Sequence, residues 1–499
     1  MGLIIAGERS GVGKTTVTLA LLAALASRSS EIQPAKIQPV KIQPVKIQSF
    51  KVGPDYIDPM FHRAITGRAC HNLDPVLTSE AYVVECYRRA AQGVDYALVE
   101  GVMGLFDGAS GDKDLASTAH IARLLDLPVV LVVDCARLSR SVAALVQGYC
   151  AFDPRVGVVG VVLNRVGSDR HLSLLKAALA TIEMPVVGVL RRDAVMPLPD
   201  RHLGLVPIGE LGNFGAIAEQ LAEVGRGCFD WARLEEWVQG DGLRLRSVER
   251  GDGETRGRGD ISVGQASRLP GLVRIAIASD PAFNFYYAEN LAQLEAEGAQ
   301  LVYWSPLQDE LPEVEGLYLG GGFPEMFAAA LAANQRARSQ VKQAIMAGMP
   351  TYAECGGLMY LCEKLTDFQG QAWPMVGVLP TAVEMTGKLS LGYRRAMALS
   401  DTPLLAAGQQ VIGHEFHRSA LSGDLPQPIY RAQRYSAPTG EKPEGWQIAN
   451  LHASYIHLHW GGQPEMAQRF VTQCRWYLNF KIIPPQSLAM PPPPSDTDR

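Results

Sequence analysis

Residues 3–16, LIIAGERSGVGKTT, combine an apolar run with a glycine-rich turn and a Gly-Lys-Thr sequence. The run Leu3–Ala6 is typical of a buried strand, and Thr15–Ala26 has the composition of a helix. A glycine-rich turn between a strand and a helix presents backbone N–H groups to phosphate oxygens. The segment therefore predicts an ATP-binding loop, in which Lys14 reaches the β and γ phosphates and the Thr15 hydroxyl binds Mg²⁺. The candidate nucleotide ligands are Gly11, Gly13, Lys14, Thr15 and Thr16.

The spacing of this loop differs from the commonest one. The usual pattern has a glycine at position 8, where this chain has Glu8, and the glycine comes one residue earlier as Gly7. In this longer spacing the loop resembles the dethiobiotin-synthetase group of P-loop proteins. The strand, the Gly-Lys-Thr sequence and the helix are all present, so the prediction of a nucleotide site is retained.

Apolar runs and helical patterns alternate along the first half of the chain. Besides Leu3–Ala6, the predicted buried strands are Tyr96–Glu100, Pro128–Asp134, Val156–Leu163 and Pro185–Val189. Helical patterns such as 115–125 separate them, which predicts an α/β fold with a parallel sheet covered by helices on both faces. A second alternation runs from Val273 to Ala353. We therefore expect two doubly wound α/β domains.

Composition excludes several classes of protein. The chain has 499 residues, 47% of them apolar and 19% charged, as in ordinary globular proteins. Its net charge of −5 gives no indication of nucleic-acid binding, and no run of 18 uncharged apolar residues predicts a membrane span. Its eight cysteines form no CxxC pairs, so we expect neither disulfides nor a zinc site. With no basic region before its first apolar run, the chain is expected to act in the cytoplasm.

Three stretches of low complexity mark the expected boundaries. Residues 32–51 repeat the units IQPAK, IQPVK, IQPVK and IQSFK, whose prolines disfavour a helix or a central strand. We interpret this repeat as a linker inserted ahead of a strand that ends near Lys51. A Gly-rich charged stretch precedes Val273, and the C-terminus is Pro-rich. The predicted parts are a domain at 1–238, a linker at 239–271, a domain at 272–483 and a disordered tail at 484–499.

Polar side chains follow three predicted strands of the first domain. Asp55 and Asp58 lie in KVGPDYIDP, and Glu100 and Asp107 lie in EGVMGLFDG. Because the carboxyl ends of parallel strands meet at one edge, we expect Glu100 to face the phosphate-binding loop and to bind Mg²⁺ with its threonine. The aspartates have an alternative role in turns and helix caps. Asn164 is placed to hydrogen-bond an adenine edge or to cap a helix.

The second domain carries a cysteine at a predicted sharp turn. Residues 351–361, TYAECGGLMYL, have the pattern of a strand, a tight turn and a helix, with Cys355 at the turn. A thiol in this position is exposed, and a helix N-terminus favours its thiolate form. We therefore predict a nucleophile, although a lone cysteine is more commonly a buried and inert one. Two further motifs decide between a reactive and an inert cysteine.

The first of these motifs is a glycine loop. Residues 318–325, YLGGGFPE, follow a predicted strand, and the glycines leave their backbone N–H groups accessible. Such groups stabilise the oxyanion that develops when a thiolate attacks a carbonyl carbon. The candidate oxyanion residues are Gly321, Gly322 and Gly356.

The second motif contains two histidines. In SYIHLHW, residues 454–460, His457 and His459 alternate in a strand-like run and are expected on one face. Either imidazole can take the proton from Cys355, and the spacing does not separate them. The order glycine loop, cysteine and histidine resembles that of class I glutamine amidotransferases.

Together the motifs resemble the cobyrinic acid a,c-diamide synthase family, and the resemblance covers nearly the whole chain outside the repeat, linker and tail. Ten ordered stretches carry it. They are SGVGKTT, KVGPDYIDP, NLDP (72–75), VEGVMGLFDG, RHLGLVP (201–207), DPAFNFYYAENL (280–291), YLGGGFPE, AECGGLMYL, GHEFH (413–417) and SYIHLHW.

The resemblance implies a ligase that uses ATP, Mg²⁺ and glutamine to amidate the a and c carboxylates of cobyrinic acid through acyl phosphates. It implies that Cys355 hydrolyses glutamine, that His457 rather than His459 is the base, and that Asp55, Asp58 and Asp107 orient the corrinoid substrate. It also allows a homodimer. Class I enzymes usually have a glutamate two residues after the histidine; here that position is His459, so the partner of His457 is not defined.

Two alternatives stay open. A switch ATPase of the partitioning type shares the GVGKTT sequence, but such proteins have a lysine where this chain has Arg9 and have no domain like that around Cys355. Cobyric acid synthase, or an enzyme that amidates another tetrapyrrole, is the closer rival. The DPAFNFYY and RHLGLVP stretches favour the a,c-diamide synthases over cobyric acid synthase.

Overall fold

The computed structural model describes residues 2–28, 45–192, 199–201, 204–238, 272–423, 427–436 and 440–482. In the N-terminal domain the strands are β1 (Leu3–Gly7), β2 (Ile47–Val52), β3 (His71–Leu73), β4 (Tyr96–Glu100), β5 (Val129–Asp134), β6 (Val158–Val166), β7 (Val186–Arg191), β8 (Asp200–Arg201) and β9 (Gly204–Leu205). Its helices are α1 (Lys14–Ser27), α2 (Ile57–Thr66), α3 (Glu80–Ala90), α4 (Thr118–Leu125), α5 (Ser141–Phe152), α6 (Asp169–Ala180), α7 (Phe214–Gly227) and α8 (Trp231–Val238), with a 3₁₀ turn at Ile208–Glu210.

The N-terminal sheet is parallel and has helices on both faces. Its strand order is β3-β2-β4-β1-β5-β6-β7. Neighbouring residues of β1 point to opposite faces: Ile5 belongs to the hydrophobic cluster that includes α1, α2, α7 and α8, and Ile4 belongs to the cluster that includes α3 to α6. Burial on both faces explains the continuous apolar runs in the sequence. The predicted parallel α/β fold of this domain is confirmed.

The repeat stretch is partly structured. Its last unit, Ile47–Lys51, belongs to β2, which is buried and pairs on both sides with β3 and β4. The strand expected to end near Lys51 is therefore present. It takes up the last unit of the repeat because Ser49 stands where the other units have proline and supplies the backbone N–H that a central strand needs. Residues 32–44 of the repeat, the predicted linker at 239–271 and the tail at 484–499 lie outside the described residues.

The C-terminal domain is built on a second sheet. Its strands are β10 (Val273–Ala278), β11 (Ala299–Trp304), β12 (Gly316–Leu319), β13 (Thr351–Glu354), β14 (Cys362–Thr366), β15 (Ala372–Pro374), β16 (Leu379–Ala398), β17 (Gln410–Leu421), β18 (Pro428–Arg434), β19 (Lys442–Ile448), β20 (Leu451–Ser454) and β21 (His457–Leu458). Its helices are α9 (Ala288–Ala296), α10 (Ala328–Ala333), α11 (Gln335–Met346), α12 (Gly356–Leu361) and α13 (Glu465–Ile482), with 3₁₀ turns at Pro324–Phe327 and Trp460–Gly462.

This second sheet is mixed. The strands β11-β10-β12-β13-β20 are parallel, as the alternating sequence pattern predicts. Beyond β20 the order continues through β19, β18 and β16 with antiparallel pairing, and β17 pairs with both β16 and β21. This antiparallel part, which was not predicted from the sequence, brings β16 and β17 next to the N-terminal domain.

Side chains from both domains meet in a shared interface. The Tyr393 hydroxyl, from β16, donates a 2.8 Å hydrogen bond to the buried carboxylate of Asp74. His71 Nδ1 lies 2.9 Å from Oε1 of the buried Glu289, which is in the first turn of α9. Tyr56, at the start of α2, stacks on Phe285 with ring centroids 5.3 Å apart. These contacts hold the carboxyl edge of the first sheet against the second domain.

Among the described helices, none combines the length and apolar composition needed to span a bilayer.

Candidate active site

A cavity of about 990 Å³ opens at the carboxyl edge of the N-terminal sheet, where the domains meet. The position agrees with the rule that ligands bind at this edge of a parallel sheet. The N-terminal residues that line it include Gly11, Gly13, Lys14, Thr15, Thr16, Asp55, Asp58, Asp107 and Asn164. The C-terminal domain contributes Phe285, Leu391, Gly392, Tyr393, His414 and Phe416.

The loop between β1 and α1 has the geometry expected of a phosphate site. Gly13 adopts a left-handed conformation (φ 95°) directly before α1, and a Cβ there would lie 2.3 Å from the Asn164 amide nitrogen. The Lys14 ammonium, buried behind the loop, donates to the carbonyl of Met103. Burial, followed by the charge of Lys51, lowers the pKa of Lys14 to about 8. A lysine held this way is only weakly neutralised by the protein and is available to phosphate oxygens.

Asn164 holds the loop from behind. Its amide nitrogen donates to the carbonyl of Val12 at 2.8 Å, and its oxygen accepts from the Arg165 N–H at 2.8 Å. The contact at Gly13 and these two bonds give Asn164 a structural role in the loop. Its predicted contact with adenine stays a prediction.

The predicted Mg²⁺ ligands lie side by side. The Thr15 hydroxyl donates to Glu100 Oε1 at 2.7 Å and lies 3.3 Å from Asp58 Oδ2. Glu100 is fully buried at the end of β4, as the sheet-edge argument predicts. Three oxygen donors therefore converge beside the phosphate loop, the donor chemistry that Mg²⁺ prefers.

Two basic residues that the sequence analysis missed neutralise these carboxylates. Lys51 Nζ contacts Asp58 and lies 2.9 Å from Glu100 Oε1, while His62 Nε2 lies 2.7 Å from Glu100 Oε2. Although burial alone would raise it, Lys51 and His62 hold the pKa of Glu100 well below its usual range. Burial and the nearby Asp55 raise the pKa of Asp58 to about 8, against the effect of Lys51. The position of Lys51 near the end of a predicted strand, as the first residue of KVGPD, was the available signal.

Asp55 and Asp107 have turn-forming roles in addition to facing the cavity. Asp55 Oδ1 accepts hydrogen bonds from the Ile57 and Asp58 N–H groups at 2.9 and 3.1 Å, which caps α2. Asp107 Oδ2 accepts from the Gly104 N–H at 2.9 Å. The second oxygen of Asp55 lies 3.8 Å from Lys51 Nζ. Their part in substrate orientation stays a prediction.

Cys355 stands at a sharp turn between β13 and α12, but its side chain is buried, so the expectation of an exposed thiol is wrong. Its backbone is in the positive-φ region (φ 47°, ψ −99°), which side chains other than glycine rarely adopt. Its N–H donates to Ser454 O at 2.8 Å, and the turn is close-packed because a Cβ at Gly357 would lie 2.2 Å from Leu319 O. Strain of this kind is concentrated at functional sites and positions a nucleophile above the sheet.

The three predicted oxyanion glycines lie around this turn. A Cβ on Gly356 would be 3.1 Å from the Gly322 backbone nitrogen, and one on Gly321 would be 2.7 Å from Cε1 of His457. Gly322 itself has φ 155° and no room for a side chain, because a Cβ would lie 2.1 Å from Ala282 O. Glycine loop, cysteine turn and histidine therefore form one cluster.

The two candidate histidines point to different partners, so the expectation that they share one strand face is wrong. β20 ends at Ser454, β21 contains only His457–Leu458, and His459 caps the 3₁₀ turn that follows. His459 Nε2 lies 3.5 Å from Glu289 in the domain interface. His457 instead faces the cysteine: burial would lower its pKa, but Cys355 and then Glu354 raise it to about 10. Of the two histidines, His457 is therefore the one that lies against Cys355, and its role as the base stays a prediction.

Glu354 is a residue that the sequence analysis missed. It is buried directly before the cysteine, and its Oε2 lies 3.8 Å from Nδ1 of His457, where no other hydrogen-bonding partner is present among the described residues. The Leu458 N–H at 3.0 Å and the Tyr318 hydroxyl at 2.9 Å fix its two oxygens. Its signal in the sequence was an acidic residue next to a candidate nucleophile.

A phosphate-binding loop and a strained cysteine with a histidine partner, packed across one interface, define a two-domain ATP-dependent glutamine amidotransferase. Comparisons with known proteins agree. Residues 3–206 match the CobQ/CobB/MinD/ParA nucleotide binding domain, and residues 274–465 match the CobB/CobQ-like glutamine amidotransferase domain.

Similar whole proteins define the family more closely. A cobyrinate a,c-diamide synthase of Synechococcus sp. is 52% identical over 95% of this chain and 98% of that protein. A second one, from Synechocystis sp., is 50% identical over 95% and 93% of the two chains. A hydrogenobyrinate a,c-diamide synthase of Streptomyces coelicolor is 43% identical over 95% and 97%. The chain belongs to the cobyrinate a,c-diamide synthase family.

Proposed function

We propose that this protein is the ligase that converts the a and c carboxylates of cobyrinate to amides, with glutamine as nitrogen donor and one ATP for each amide. The observation that carries the proposal is the position of Cys355 and His457, directly behind the wall of the cavity that the phosphate loop lines. An enzyme that only switched on ATP would have no use for the second site, which disfavours the partitioning-type alternative.

In the glutaminase half, the Cys355 sulfur bonds to the carboxamide carbon of glutamine. Backbone N–H groups of the glycine loop hold the oxyanion, and the His457 imidazolium protonates the leaving nitrogen as the C–N bond breaks. Water then hydrolyses the thioester, which releases glutamate and restores the thiol. Glu354 keeps the imidazole oriented and stabilises its charge, the part that a glutamate two residues after the histidine plays in class I enzymes.

In the synthetase half, a substrate carboxylate oxygen bonds to the γ-phosphorus of ATP and ADP leaves. Ammonia then bonds to the carbonyl carbon, phosphate leaves, and one proton is lost. Lys14 and the loop N–H groups hold the phosphates, while Asp55, Asp58 and Asp107 orient the substrate. Thr15 and Glu100 would hold Mg²⁺, which when bound neutralises charge on the phosphates.

The proposal includes an expected cellular location and an expected oligomeric state. We expect the enzyme to act in the cytoplasm, where its substrates and ATP occur and where its eight cysteines would stay reduced. A homodimer is compatible with the resemblance, and light scattering of the purified protein decides between monomer and dimer.

The decisive experiment supplies Mg-ATP and glutamine with either cobyrinate or its cobalt-free form, and counts amides on the product by mass spectrometry. We expect two amides, none with Cys355→Ala and glutamine, and two again when ammonium replaces glutamine in that variant. The two corrinoids, compared at equal concentration, show which one is preferred. Glutamine hydrolysis without corrinoid amidation would contradict the proposed substrate, and the absence of both activities in folded protein would favour the switch ATPase.

A further inference from the structure

The GHEFH motif, at 413–417 in β17, forms the wall between the two sites. His414 and Phe416 both line the cavity that contains the phosphate loop. On the other side, the Phe416 carbonyl oxygen lies 3.9 Å from the Cys355 sulfur. His414 is the cross-strand neighbour of His457 in β21. One strand therefore separates the thiol that would release ammonia from the cavity in which ammonia would be used.

The chemistry of His414 suits this place. The side chain is buried, and its Nδ1 has no hydrogen-bonding partner among the described residues. An unpaired ring nitrogen in the interior is costly unless something binds to it. Its two cross-strand neighbours are Tyr393, whose ring lies edge-on at 5.4 Å, and His457. The open nitrogen is therefore not used by the fold itself.

The His414 ring is uncharged, which suits a neutral ligand. Burial, followed by the charges of His457 and Arg394, lowers the pKa of His414 to about 3, so the ring is neutral at any working pH. Such a ring can accept a hydrogen bond but cannot protonate ammonia. Ammonium is not a nucleophile, so the nitrogen has to reach the cavity as ammonia. Arg394 is paired with Glu415, the residue between the two cavity-lining positions.

We propose that ammonia released at Cys355 crosses β17 beside Phe416 and His414 into the cavity, and that Nδ1 of His414 accepts a hydrogen bond from it on the way. No bond is made or broken: the molecule passes unprotonated, and His414 is a positioning residue that lowers the free energy of the passage. The inference rests on the proposed function and adds to it a route and a residue.

The test measures how tightly glutamine hydrolysis is coupled to amide formation. Glutamate released and amides formed are counted in the same reaction, and ammonium-dependent amidation is measured separately. Wild type should form one amide per glutamate. His414→Phe keeps an aromatic ring beside Tyr393 but has no acceptor; we expect roughly fivefold more glutamate per amide, the factor that corresponds to one lost hydrogen bond. Glutaminase and ammonium-dependent rates should fall by less than the coupling ratio rises, because His414 supplies no reacting group to either half of the mechanism proposed above.

Three further variants complete the design. His414→Gln, which restores an acceptor, should return the ratio toward one, and His417→Gln, in the same strand but outside the cavity lining, should leave it unchanged. His417 instead stacks on Tyr455, with ring centroids 3.8 Å apart. If the phenylalanine variant does not fold, His414→Leu tests the same loss with a smaller side chain.

The outcomes separate the inference from the function on which it rests. A ratio that stays at one in His414→Phe would overturn the inference, and so would a parallel fall in the glutaminase rate or in ammonium-dependent amidation, which would place His414 in one of the two sites. Wild type that amidates with neither nitrogen donor would instead overturn the proposed function itself.

Discussion

The Glu354 carboxylate lies 3.8 Å from Nδ1 of His457, and both side chains are buried. Removing its charge in Glu354→Gln should lower the glutaminase kcat by about 10²-fold, because the imidazolium loses the group that orients and stabilises it. The pH at which glutaminase activity changes should also shift downward, since Glu354 contributes to the raised pKa of His457. Ammonium-dependent amidation should be unchanged, and so should every rate of Glu363→Gln, an exposed residue of β14. Full glutaminase activity in Glu354→Gln would show that His457 needs no such partner.

ATP affinity should fall at alkaline pH. The pKa of Lys14 is lowered to about 8, so the free protein loses this proton as the pH rises through 8, whereas bound phosphates would retain it. Below pH 8 the affinity should be constant, and above it Kd should rise by up to roughly tenfold per pH unit. Calorimetric titrations between pH 7 and 9.5 measure this. Lys14→Arg, which stays charged, should show no such dependence, and an equal slope in both proteins would rule out Lys14 as its source.

Lys51 should be essential to stability as well as to the site. Its ammonium is buried between Asp58 and Glu100, and Lys51→Met would leave Asp58 without this cation and Glu100 with His62 alone. We expect a loss of about 3–5 kcal/mol in the free energy of unfolding, measured by chemical denaturation. Lys46→Met, at an exposed position just before β2, should change it by less than about 0.5 kcal/mol. Similar stability of the two variants would contradict a structural role for the buried lysine.

Gly321→Ala should damage the glutaminase without unfolding the protein. The added Cβ would lie 2.7 Å from Cε1 of His457, so the imidazole must move away from its present position. A displaced catalytic group typically costs about 10²-fold in rate, and we expect that loss in glutamate release. Ammonium-dependent amidation and the melting temperature serve as readouts of an intact fold. Gly387→Ala, where the new Cβ meets nothing within 4 Å, is the matched control.

Short sequence patterns were sufficient to predict much of the fold. The buried parallel strands have continuous apolar runs because both faces are covered. The sequence Cys355-Gly356-Gly357 predicts the sharp turn at the cysteine. The antiparallel part of the second sheet was not predicted. β16 and β17 are long strands whose pairing depends on partners that are distant in sequence, and their exposed faces carry polar residues.

The repeat shows how a single substitution alters a local prediction. Its proline units disfavour a central strand, yet the last unit has Ser49 in place of proline and forms the interior strand β2. The repeat bounds of 32–51 therefore include the strand that was expected to follow the linker, because a single substitution changes what the last unit can form.

For the site, the sequence alone determined which chemical groups are present: a phosphate loop, carboxylates at strand ends, a cysteine at a turn, glycines and two histidines. These follow from short contiguous motifs, because backbone conformation over a few residues is governed by local sterics. Only the tertiary structure decided between the histidines, paired Glu354 with His457, buried Lys51 among the carboxylates and placed His414 between the two sites. Each of these relationships joins side chains that packing brings together from separate elements, and the charge and hydrogen-bonding state of such groups depends on burial and distance, which no local pattern contains.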